Sequence, residues 1–114
     1  MITVEQVHEG IARSLKTIDE LVDQIAQAGD IAAESEVAYK TEFAKARLTY
    51  RATAKEKPTV GEVEDYAIEA CADLLLAYKI SENRLTTCRE SLRAAQARLD
   101  GLRSLLSSIK AATV

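Results

Sequence analysis

The chain has 114 residues, a net charge of −3, one proline, four glycines, four tyrosines, one phenylalanine and no tryptophan. This balance, with abundant Ala, Leu, Arg and Glu, favours long helices and argues against a sheet or a large globular core. The acidic total argues against a generic nucleic-acid binder but leaves room for a local basic patch.

The N-terminus, MITVEQVHEG, lacks the basic flank and apolar segment of a signal peptide. Thr3 with Gln6 reads as a capping box, with Ile2 and Val7 as its hydrophobic staple. Apolar residues then recur at Val4, Val7, Ile11, Ile18, Leu21 and Ile25, flanked by Leu15 and Val22. That stripe is wider than a two-stranded seam requires, so the segment is expected to meet more than one partner helix. Gly29 and Asp30 suit a C-terminal cap followed by a new N-cap, which sets helix 1 at about 3–28 and leaves open whether the first arm breaks near Gly29 or runs on.

Helix 2 is predicted over about 31–56, with Tyr39, Phe43, Ala46 and Tyr50 along one side. It ends before Pro58, because proline disfavours α geometry at the preceding residue. Thr59 and Glu62 then form a second capping box, with Pro58 and Val63 as its staple. Helix 3 follows over about 60–110. Its seam places Cys71, Tyr78, Leu85, Leu92, Leu99 and Leu106 seven apart, with Leu74, Ser81, Cys88, Ala95, Leu102 and Ile109 three residues after each. This is the pattern of a coiled coil. The two cysteines fall on the seam as buried thiols of a reducing cytoplasm, away from any CxxC motif.

The expected fold is therefore all-α: one helical domain over 1–114, folded at Pro58 into a long antiparallel hairpin. Charge supports that register. Residues 1–38 carry two basic and eight acidic groups, residues 39–58 six and two, residues 59–83 one and six, and residues 84–114 six and two. Folding at Pro58 sets each block beside its opposite. Two helices bury little surface, so self-association into an oligomer is expected. No run of about 18 apolar residues spans a membrane.

Catalysis has little support. His8 stands alone, with no Cys, Asp or Glu in metal-ligand spacing, and no nucleophile–base pair or phosphate loop appears. No catalytic residue, metal or cofactor is expected. Two basic zones remain. Arg84, Arg89, Arg93, Arg98 and Arg103 lie off the leucine seam and read as flanking charge. Lys40, Arg47, Arg51 and Lys55 share one side of helix 2 beside Tyr39 and Tyr50, with Lys45 on the other flank. A basic stripe with tyrosines suits single-stranded DNA, cations following phosphates and rings stacking on bases. The same stripe suits pairing with Glu62, Glu64, Asp65, Glu69 and Asp73, with the tyrosines packed in a seam, and spacing alone favours that reading.

The segment KARLTY, Lys45 to Tyr50, resembles the Lys-Ala-Arg-Leu-any-Tyr segment of the UvsY-like phage recombination mediators. The layout over about 39–110 is similar too: a helix bearing the motif, a short polar turn, then a long helix ending in LRAAQARLDGLRSLLSSIK. The resemblance implies a phage-encoded, non-enzymatic protein of the host cytoplasm. Such a protein binds single-stranded DNA as a ring-like oligomer and helps a recombinase replace single-strand-binding protein. It implies DNA contact by Lys45 and Arg47, supported by Lys40, Arg51 and Lys55, and oligomerisation through Leu92, Leu99, Leu102, Leu106 and Ile109. Arg51 stands where the relatives have a second aromatic residue, and the segment before residue 30 matches less clearly. The alternative function is a phage accessory or adaptor protein that binds a host or virion protein through its helical faces.

Overall fold

The structure, a computed structural model, describes residues 1–112. It is all-α, with three helices in the order α1 (Val4–Thr53), α2 (Val60–Ala70) and α3 (Ala72–Ala112). Both predicted caps form at their expected places. The Thr3 N–H donates to Gln6 Oε1 at 2.9 Å and the Gln6 N–H donates to Thr3 Oγ1 at 3.2 Å, which is the reciprocal capping box. Thr59 is the N-cap of α2, its Oγ1 accepting from the Glu62 N–H at 3.2 Å.

Two boundaries differ from the sequence expectation. α1 is a single helix of 50 residues, so Gly29 neither breaks it nor takes a positive φ. Glycine inside a helix costs about 1 kcal/mol relative to alanine. The apolar seam continues across it through Ile25, Ala28 and Ala32, and Ala28 and Ala32 are buried. The second correction is that the predicted third helix is divided at Cys71. That residue caps α2 with φ −110° and ψ 18°, and α3 starts immediately after it. The interruption is brief, since the Cys71 N–H still donates to the Ala67 carbonyl and the Leu75 N–H to the Cys71 carbonyl.

The chain divides into two compact units. The first joins Met1–Gln27 to the chain from Thr86 onward, and the second comprises Ala28–Leu85. In the first unit the two helices run antiparallel: Gly10 of α1 faces Leu102 of α3 so closely that a methyl group on it would lie 3.1 Å from Leu102 Cδ1. Val7, Ser14 and Leu99 are buried there, while Ile11, Ile18, Leu21, Ile25, Leu92, Leu102, Leu106 and Ile109 are half-buried. Ser14 occupies a seam position that the apolar pattern skips.

In the second unit the rest of α1 packs antiparallel to α2 and the start of α3. Val63, Ala67, Cys71 and Ser81 are buried, and the Ser81 hydroxyl donates to the Tyr78 carbonyl at 2.7 Å. Rings join the helices. Tyr39 of α1 stacks on Tyr78 of α3 at 5.9 Å between centroids, and Tyr50 stacks on Tyr66 of α2 at 4.8 Å. Tyr39 also meets Phe43 one turn on, at 5.6 Å.

Candidate nucleic-acid interface

The basic segment lies in the second unit, on the last four turns of α1 and in the turn that follows. With about 100° between successive residues, Lys40, Arg47 and Arg51 fall within an arc of roughly 40°, and Lys55 would continue the row if the helical course were extended to it. α1 ends at Thr53, so Lys55 and Lys57 belong to the turn. Lys45 lies roughly 160° from Arg47 on the same wheel, because residues two apart point away from each other. The two motif residues therefore flank the helix from opposite sides.

Each cation has its own surroundings. Lys40 is exposed, and its ammonium sits 2.6 Å from Glu36 Oε1. The hydrogen bond and charge of Glu36 hold Lys40 above the ordinary lysine value, with smaller support from Tyr78 and Glu82 of α3. Lys45 is exposed and pairs with Glu42 at 3.3 Å. Arg47 is half-buried, with its guanidinium 5.1 Å from the centroid of the Phe43 ring, a cation–π contact. Its Nε is buried and makes no hydrogen bond. Arg51 is exposed in the last turn of α1, where positive charge complements the helix dipole. Arg51, Lys55 and Lys57 line one hollow with Ala54, Glu56 and Pro58.

The sequence left open whether this stripe pairs with the acidic start of the next helix. Among the described residues the three ion pairs, Glu36–Lys40, Glu42–Lys45 and Lys79–Glu82, each lie within one helix. None of Arg47, Arg51, Lys55 or Lys57 pairs with a carboxylate of α2. The tyrosines, by contrast, follow the packing alternative: Tyr39 and Tyr50 are both engaged by rings of the facing helices. Arg47 on Phe43 was legible as an i,i+4 pair but was not singled out. Lys57 and Tyr66 gave no local signal, since each acquires its neighbours only through the turn.

The residues expected to drive oligomerisation sit in the first unit. Leu99 is buried, and Leu92, Leu102, Leu106 and Ile109 are half-buried on the α3 seam facing α1 of the same chain. Both thiols are free, Cys71 buried and Cys88 half-buried. His8 is exposed, and among the described residues no three His, Cys, Asp or Glu side chains are grouped to hold a metal. Among the described residues no helix is long and apolar enough to cross a membrane.

Set beside known proteins, the chain matches no family model, no curated protein and no solved structure.

Proposed function

We propose that this chain is a non-enzymatic accessory protein of phage recombination that binds single-stranded DNA as a homo-oligomer. The observation that carries the DNA-binding part is the set Arg51, Lys55 and Lys57, gathered round one hollow at the end of α1 and in its turn without an ion pair among the described residues, with Arg47 one turn before. Cations in this state exchange condensed counterions for phosphates, and that release drives sequence-independent binding. With Tyr39 and Tyr50 packed against other rings, the strand is held by its backbone rather than by stacking of its bases. A single copy offers few contacts and an acidic surround, so affinity comes from repeating the basic edge in an oligomer. The role of helping a recombinase replace single-strand-binding protein is supported by the resemblance of KARLTY and the layout around it.

The test is a single-stranded DNA titration across salt concentrations, with oligomer mass measured on the same samples. Removing two phosphate contacts by Arg51→Ala with Lys55→Ala is expected to lower the salt slope by about 1.4, given about 0.7 per contact on single strands. Lys45→Ala, on the opposite flank and paired with Glu42, is expected to change the slope less. An unchanged slope in the double variant removes the site. A second reading, a protein-binding adaptor, is favoured by the exposed apolar side chains Val37, Leu48 and Leu76 in the same unit. Absence of DNA binding by the native chain, with a defined protein captured through those residues, selects it.

A further inference from the structure

The first unit leaves an apolar edge uncovered. Val4, Leu15 and Val22 of α1 are 38%, 44% and 51% exposed, and Ile11 and Ile18 between them are only half-buried. At about 100° per residue these five fall within an arc of roughly 60°, about a quarter-turn round from the side that carries Val7, Ser14 and Leu21 toward α3. Together with that side they make a stripe of roughly 120°, wider than the narrow seam that one facing helix covers, and within its unit α1 has one facing helix.

Charge identifies the missing neighbour. The α1 part of the unit carries five acidic and two basic residues, and the α3 part from Thr86 on carries five basic and two acidic. Among the described residues neither Asp19 and Asp23 on α1 nor Arg89 and Arg103 on α3 forms an ion pair. The unit thus presents an apolar edge, an acidic helix and a basic helix, with Asp19, Asp23, Arg89 and Arg103 still available. A second copy of the same surface complements it if the α1 of each copy lies beside the α3 of the other, as in an isologous two-fold contact.

We propose that a second copy of this chain docks on the Val4, Leu15 and Val22 edge, with α1 of each copy against α3 of its partner, so that the two first units form a four-helix bundle. All neighbouring helices in that bundle are antiparallel, the usual arrangement of four-helix bundles with short connections. The contact supplies a self-association that the proposed DNA binding uses. It rests on different residues, and its test reads mass rather than DNA, so failure of one is distinguishable from failure of the other.

The test is sedimentation of the full chain over a concentration series, with helicity followed by circular dichroism. The native chain is expected to associate. Leu15→Lys with Val22→Lys, both at exposed positions, is expected to reduce the two-chain species to one chain without loss of helicity. Arg89→Glu with Arg103→Glu is expected to weaken association on its own, and mixing it with Asp19→Lys, Asp23→Lys is expected to restore a mixed pair. A native chain that stays monomeric at every concentration overturns the proposal, as does retention of the associated mass by the Leu15/Val22 variant. Association untouched by the α3 reversal overturns the α1-to-α3 arrangement. If the lysine variant loses helicity, Leu15→Ser with Val22→Ser replaces it and is judged by the same criterion.

Discussion

Tyr78 shows how little of a side chain's setting is local. Its place on the heptad seam was legible, because Cys71, Tyr78 and Leu85 repeat every seven residues. Its electrostatic surroundings were not, because Glu36 and Lys40 reach it from α1. Partial burial, then the charges of Glu36 and Glu82, raise its hydroxyl above the ordinary tyrosine value, with Lys40 opposing. The folded state therefore holds this proton more tightly than the unfolded chain does. The resulting stabilisation is complete below the ordinary tyrosine value, about 10, and is lost as pH rises through the higher folded value. Lys40, also raised, acts in the same direction. Chemical denaturation at neutral pH and near pH 11 is expected to show a lower midpoint in alkali, and Tyr78→Phe is expected to reduce that loss. Arg47 makes a related point. Its adjacency to Lys45 in the motif suggested joint action, but two residues along a helix reverse direction, and Phe43 at i−4 is the neighbour it actually meets.

The helices were legible where burial is periodic and less so where a glycine suggested a boundary. All twelve seam positions from Cys71 to Ile109 are buried or half-buried, so the seven-residue repeat was a reliable guide. On α1 the seam alternates steps of three and four as far as Tyr39 and then takes consecutive steps of four, from Ser35 to Tyr39 to Phe43. That is a stutter, which lets the aromatic residues take up the seam. Gly29 looked like a terminus, yet a penalty of about 1 kcal/mol is small beside a seam that continues on both sides of it. The break at Cys71 had no signal, since neither glycine nor proline marks Ala70-Cys71-Ala72-Asp73. The glycines provide a direct measurement of this balance. A Cβ at Gly29 or Gly101 meets nothing within 4 Å, whereas one at Gly10 meets Leu102 Cδ1 at 3.1 Å. Gly29→Ala and Gly101→Ala are each expected to raise stability by up to about 1 kcal/mol in urea denaturation. Gly10→Ala is expected to gain less than either, because Leu102 must move to admit the methyl group.

The alternating charge blocks predicted an antiparallel chain, and the helices do run antiparallel within each unit. The ion pairs nevertheless form along helices rather than across them among the described residues. Exposed pairs contribute about 0–1 kcal/mol each, so the blocks act as a field that disfavours the wrong register more than as a set of bonds. Among the described residues Arg51, Lys55 and Lys57 at the end of α1 and in its turn, and Arg89 and Arg103 on α3, form no ion pair, and the two proposals rest on those separate groups. On spacing alone the tyrosines had two uses, packing in a seam, which was the stronger, and stacking on bases, and the DNA reading gained on it only through the resemblance of the motif. Packing against Tyr78 and Tyr66 distinguishes them.

The distribution of the thiols has an experimental consequence. Cys71 belongs to the second unit and Cys88 to the first, and both are free. Each unit therefore carries its own built-in chemical clock. A maleimide reagent is expected to modify half-buried Cys88 promptly and to modify Cys71 only through transient opening, at a rate set by the population of the open form. Following the two adducts by mass spectrometry in rising urea would give an opening free energy for the second unit from Cys71, with Cys88 as the accessible reference in the same tube. Equal protection of both thiols in the native protein would contradict the difference in burial. Two rates that converge well below the unfolding midpoint would show that the second unit opens on its own.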